Sequence, residues 1–405
     1  ADATAAAEAV VAGETFTLTT GLDTLTGAST NDTFSAVDSG AINSVPTTTL
    51  NSGDSINTGA GTDRLSIVAS TGSATTSAQV ASSTVEEVAV YNNSAAAYAA
   101  DTTLMTGLTD LFVVAGINDV SFTGVNSSPN VHLTSASNDV TVTNADTVGL
   151  GDADAVTIAL NGAAATAAST LTYNDIETFN VVTSGAATGN GLLPVFGGRS
   201  QTLTSDQLET VNVSGSAAAN ITATMAGATT VAAVGTLDAS DMTGALTATV
   251  GAGASGLLSV TGGAGADTLY VNSGAMNSDL TIDGGAGVDT LVVTSAAYSA
   301  TSTTGQAGDG VTNIEVLLVA GSADLRSFSN NTFAGLVSAG AASIAGLGAD
   351  AVALTMTAAG NQTLDRATDG TANAATVSFA GTSAFTVASL NVADEETVNI
   401  NSGSL

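Results

Sequence analysis

The feature that narrows this chain most is a phrase written twice. Residues 262–269 read GGAGADTL and residues 284–291 read GGAGVDTL, which sets Asp267 and Asp289 22 residues apart. Each copy supplies a glycine turn, an aspartate, and an apolar residue two positions further on. Glycine tolerates the positive φ that lets peptide carbonyls turn inward, and the residues after the aspartate read as a short strand. A turn and strand recurring at an interval predict stacked coils, because one such unit cannot bury its apolar side alone.

A looser phrase spreads further. An aliphatic residue, one or two glutamates and a strand recur as VEEVAV (85–90), IETFNVV (176–182), LETVNV (208–213), IEVLLV (314–319) and EETVNI (395–400). Seven of the nine glutamates lie in these boxes. Catalytic glutamates do not come in five similar copies, so these are expected to be structural turn acids, each leading a strand onto one sheet. Elsewhere apolar and polar residues alternate over three to six positions, as in Val140-Thr-Val142 and Val156-Thr-Ile158, between Gly, Ser and Asn turns. This is strand habit. The expected class is all-β: a parallel β-helix or β-roll solenoid with coils of irregular length. Soft boundaries fall after residue 16, a leader or linker with a short helical stretch at Ala3 to Val11, and near residue 250. That gives solenoid over 17–250 and again over 251–405.

Charge sharpens the expectation. Against 36 acids there are four arginines, no lysine and one histidine, a net charge of −32. Nucleic acid is excluded as a partner, since phosphate binding needs Lys and Arg. A folded chain this acidic repels itself unless cations neutralise it, and its 44% hydrophobic content argues against disorder. No run of about 18 apolar residues spans a membrane. With no cysteine there is no disulfide framework. The residues before Phe16 carry no basic region and are not an intact signal peptide.

The boxes Gly262 to Tyr270 and Gly284 to Val292 match the nonapeptide GGxGxDxUx of the RTX (repeats-in-toxin) proteins in full, and the chain resembles that family. The resemblance implies a right-handed β-roll in which calcium ions sit between motifs one coil apart. Carbonyl and carboxylate oxygens form the hard-ligand shell that suits Ca²⁺. The implied ligand residues are Gly262, Gly263, Gly265 and Asp267 with Gly284, Gly285, Gly287 and Asp289, and Asp283 adds an oxygen. The family interval is 18; the four extra residues are expected to bulge at NSGAMNS (272–278), with Leu280 or Ile282 on the opposite strand. Weaker boxes occur early: Asp23, Gly27 and Asp32 in 16–34, then Asp54, Gly59, Gly61 and Asp63 in 51–65. Asp32 to Asp54 is again 22, and Thr58 replaces the first glycine of the later box.

These phrases and the Thr/Ala/Gly-rich, lysine-free composition resemble surface-layer (S-layer) proteins of Gram-negative bacteria. The resemblance implies type I secretion, calcium-dependent folding outside the cell and self-association into a lattice, with cell-surface polysaccharide as a further partner. The alternative is a calcium-rigidified segment of an RTX adhesin. No catalytic constellation stands out. Gly251 to Gly256 matches GxGxxG but leads into the strand-like LLSV instead of a helix. His132 is expected to be structural, and the pairs Asp152/Asp154 and Asp365/Asp369 lack the basic partners that polyuronate cleavage needs. Each arginine is expected to pair locally with an acid.

Overall fold

The computed structural model describes residues 13–39, 47–70, 76–82, 84–114, 116–134, 139–144, 154–161, 168–173, 176–184, 200–205, 207–224, 235–251, 258–271, 280–294, 308–347, 352–367, 370–380 and 385–402. The short helix expected at 3–11 and the bulge at 272–278 lie outside them. Among the described residues the only helix is a three-residue 3₁₀ turn, Leu325–Ser327. None is long and apolar enough to cross a membrane. Everything else regular among the described residues is strand, and the strand pairings among them are parallel, as the expected β-solenoid requires. The chain divides into two compact units, 1–151 with 155–175, and 152–154 with 176–405.

In the first unit one sheet stacks Thr15–Thr17, Thr33–Asp38, Arg64–Ala69, Glu87–Asn92, Asp110–Val114, Asn130–Thr134 and Ala155–Asn161. A second sheet stacks Tyr98–Asp101, Val120–Val125, Val140–Asn144 and Ala168–Tyr173. A small third face pairs Thr24–Thr26 with Ser55–Asn57. In register, Phe34, Leu65, Val88, Leu111, Val131 and Ile158 form one continuous apolar column, all fully buried. Alternation puts every second residue into it, which is why the strands read apolar–polar. Each such side chain contributes about 1.5–3 kcal/mol when taken out of water.

The second unit repeats this plan. One sheet runs from Thr178–Ser184 through Thr210–Gly215, Gly235–Asp238 and Leu258–Thr261 to Thr281–Asp283. The other carries Leu246–Gly251, Thr268–Val271, Thr290–Thr294, Val316–Asp324 and Gly335–Leu347 in succession. Its column is Ala248, Leu269, Leu291, Leu317, Leu336 and Leu354. Strand Gly335–Leu347 then forks, pairing with Val352–Met356 through its first half and Gln362–Arg366 through its second.

Coil lengths vary, and the register corrects one interval. Thr15 lies beside Thr33, so the first coil has the 18-residue length of the RTX family. Thr268 lies beside Thr290, so the 22-residue repeat of the full boxes is a true coil. The second 22-residue interval, Asp32 to Asp54, is not: Thr33 pairs with Arg64 and Thr24 with Ser55, both 31 residues on. That coil is nine residues longer than 22, so the 22-residue spacing does not report stacking there. Leu280 and Ile282 are both buried, and Ile282 sits on the strand of the opposite sheet as expected.

Candidate functional site

Where an acid leads a strand it sits at the corner where the chain enters the sheet, and several of these acids bond to a peptide group of the coil before. Asp32 Oδ1 accepts the Glu14 N–H at 2.8 Å, Asp63 Oδ1 accepts the Asp32 N–H at 2.7 Å, and Glu86 Oε2 accepts the Asp63 N–H at 2.9 Å. The second unit repeats the series. Asp267 Oδ1 accepts from Leu246 at 2.7 Å, Asp289 Oδ1 from Asp267 at 2.8 Å, and Glu315 Oε2 from Asp289 at 2.8 Å. The carboxylate of one coil thus closes the peptide of the coil before it. Four of the glutamate boxes and the glycine–aspartate boxes therefore share one structural position, an acid two residues before a buried apolar side chain; in the fifth box the corresponding Val398 is exposed. The expectation that the glutamates are turn acids leading strands holds for Glu86, Glu177, Glu209 and Glu315.

The glycine boxes stack in two pairs of one design. Turn 27–32 lies on turn 58–63, with the Ala60 N–H donating to the Ala28 carbonyl at 3.1 Å. Turn 262–267 lies on turn 284–289, with the Ala286 N–H donating to the Gly263 carbonyl at 2.9 Å. Gly27 and Gly262 open the first turn of each pair against the carbonyls of Thr58 and Gly284, and Gly265 and Gly287 pass over Gly244 and Gly265. Where the later box lacks its first glycine, buried Thr58 bonds to Thr84 of the next coil through both its N–H and its hydroxyl.

Within each pair the two turns differ. In the first, Asp32 Oδ2 accepts the Ala28 N–H at 2.7 Å and Asp267 Oδ2 accepts the Gly263 N–H at 2.8 Å, so both carboxylates are satisfied. In the second, the equivalent residues are Gly59 at φ +94° and Gly285 at φ +85°, a region open to glycine. The Gly285 N–H goes to Asp283 Oδ1 at 3.0 Å instead of to Asp289. Asp63 Oδ2 and Asp289 Oδ2 are left buried with no hydrogen-bond partner, on residues fully out of solvent.

Such an oxygen is costly, since a buried unpaired acceptor keeps its full desolvation penalty. Burial pushes the Asp289 carboxyl up to about 6, and the charges of Asp267, Glu315 and Asp283 push the same way against the bond from the Asp267 amide. Asp267 is also raised by burial, opposed by the Leu246 and Gly263 amides. Asp32 is lowered, because the Ala28 and Glu14 amides favour its charged form.

The remaining expected site residues are placed differently. Asp23 and Asp54 stack, with the Asp23 N–H donating to Asp54 Oδ1 at 3.0 Å. Asp54 Oδ2 takes the Asn51 N–H and Asp23 takes both groups of Thr19, so neither carboxylate is orphaned. Asp283 Oδ1 holds the Gly285 N–H and the Asn313 amide, and its charge acts on Asp289. Among the described residues no three acidic or histidine side chains converge as a metal group. His132 Nε2 lies 2.6 Å from Asp110 Oδ1 and its ring stacks on Phe112 at 4.3 Å. Arg64 pairs with Glu87 of the next coil and Arg366 with Glu395, while Arg326 pairs within two residues, with Asp324. Arg199, Asp152 and Asp369 lie outside the described residues.

The fold and these corners define a parallel β-solenoid with a carboxylate ladder and two stacked glycine–aspartate turn pairs. No protein-family model matches the chain, and no curated protein matches it.

Proposed function

We propose that this is a structural protein of the bacterial cell surface, a calcium-stabilised solenoid that assembles into an S-layer lattice. The observation that carries the reading is the pair of buried, unpartnered oxygens, Asp63 Oδ2 and Asp289 Oδ2, in stacked glycine turns of a chain with net charge −32. A divalent cation is the partner such an atom lacks. The donor set fits: the atoms at hand are carboxylates and peptide carbonyls, hard oxygens of the kind Ca²⁺ takes six to eight of. With two or fewer carboxylates in reach, backbone carbonyls and water make up the rest. Gly59, Gly61, Gly285 and Gly287 let the turn carbonyls face the ion, and Asp32 and Asp267 fix the adjoining coil.

Binding only the folded state stabilises it by about 2.7 kcal/mol per site at calcium 100-fold above Kd. In this reading, as the resemblance to RTX proteins implies, the chain is secreted unfolded and folds in calcium-rich medium, and the folded solenoid self-associates into the lattice. Circular dichroism with calcium returned after chelation tests the first step: strand signal and melting temperature are expected to rise together. Electron microscopy of the refolded protein tests the second. Ordered two-dimensional sheets support the S-layer assignment, and dispersed rods that bind glycans would replace it with an adhesin stalk.

A further inference from the structure

Among the described residues, three aspartate oxygens are buried without a partner: Asp63 Oδ2, Asp289 Oδ2 and Asp154 Oδ2. The third lies outside every glycine box singled out in the sequence. What the three share is on the following coil. The N–H of Asp63 is held by Glu86 Oε2 at 2.9 Å, that of Asp289 by Glu315 Oε2 at 2.8 Å, and that of Asp154 by Glu177 Oε2 at 2.8 Å. Aspartates whose N–H is held by another aspartate, Asp23 by Asp54, Asp32 by Asp63 and Asp267 by Asp289, have no orphaned oxygen.

We infer that the cation-binding unit of this solenoid is an aspartate with a buried free oxygen together with the glutamate of the next coil that clamps its amide, and that Asp154 and Glu177 form a third divalent-cation site. The inference rests on the proposed reading that orphaned oxygens take calcium. Its physical content lies in the glutamate. The bond fixes the peptide of the aspartate, so its side chain leaves the backbone in one direction, and a second negative charge is brought beside the first. Two anionic groups on adjoining coils repel until an ion bound at the aspartate offsets their charge, which makes binding and coil stacking one event. The glutamates are then positioning residues. Removing an outer-sphere partner of this kind weakens metal affinity by about 10–100-fold.

Calorimetric titration of the calcium-stripped full chain with calcium chloride tests this. Asp154→Asn is expected to lower the number of ions bound by one, as Asp63→Asn and Asp289→Asn each do. Glu177→Ala is expected to weaken one site by 10–100-fold, while Glu177→Gln, which still accepts the Asp154 N–H but carries no charge, weakens it less; Glu177→Gln also serves if Asp154→Asn fails to fold. If the Asp63 and Asp289 variants each lose an ion while Asp154→Asn and both Glu177 variants match the parent, the third site is overturned and the calcium reading stands. If the unaltered chain takes up no calcium, the calcium reading fails first and this inference with it.

Discussion

The peptide N–H of Asp267 donates to Oδ1 of Asp289 at 2.8 Å, across one full coil of 22 residues. That bond ties the two complete glycine boxes together and turns Asp289 so that its second oxygen is buried without a partner.

The first prediction is a pH dependence with a defined sign. Asp289 ionises near 3.8 when unfolded and near 6 when buried beside Asp267, Glu315 and Asp283. Between those values the folded chain binds more protons than the unfolded one, so stability falls as pH rises through that window. Calcium-free protein is expected to lose melting temperature from pH 4.5 to pH 6.5 through this group. Asp289→Asn should flatten that slope, and saturating calcium should reverse it. Asp32 acts oppositely, being lowered by its amide bonds, and its contribution is lost only on acidification below the ordinary aspartate range. An equal slope in parent and Asp289→Asn would remove Asp289 as its source.

A second prediction concerns the flipped turn. Gly285 sits at φ +85°, and a Cβ there would lie 2.3 Å from the Gly263 carbonyl oxygen. Gly285→Ala should cost at least about 1–2 kcal/mol from the left-handed backbone alone, with more from the contact. Urea unfolding measures it, with Ala266→Gly on the adjoining turn as a control.

Leu291 occupies the middle of the leucine column between Leu269 and Leu317. Leu291→Ala should destabilise the second unit by about 2–5 kcal/mol, the range for deleting a buried leucine side chain. Because the loss is apolar it should persist at saturating calcium, which separates it from the turn variants.

Arg366 and Glu395 form an ion pair with no solvent exposure on either side chain, and Arg366 Nη2 reaches Glu395 Oε2 at 2.9 Å. Arg366→Met should cost about 3–5 kcal/mol by leaving a buried charge alone. Adding Glu395→Leu should restore part of that, and a double variant as unstable as the single one would argue against a buried pair.

Strand habit and stacking were legible because alternation and turn chemistry are local. Phe34, Leu65 and Val88 each follow an acid by two residues, and the phrase is visible without any structure. The partner of Asp32 was not, because the coil from Thr33 to Arg64 takes up extra residues and makes 22 a coincidence there and a true repeat at Asp267. Grouping acids by residue type also hid the likeness of Asp63 and Glu86: the ladder joins side chains to peptide groups, and a peptide group leaves no mark in the sequence. The orphaned oxygens of Asp63 and Asp289 go with the positive φ at Gly59 and Gly285, which the letters GA do not state.

The ladder also runs one way along the chain. The amide of Asp63 is answered only by Glu86, 23 residues later, and that of Asp289 only by Glu315, 26 residues later. The windings that carry Asp63 and Asp289 are therefore not finished by their own residues; the latch arrives with the next. A polypeptide emerging N-terminus first would lock each turn one step behind its growing tip.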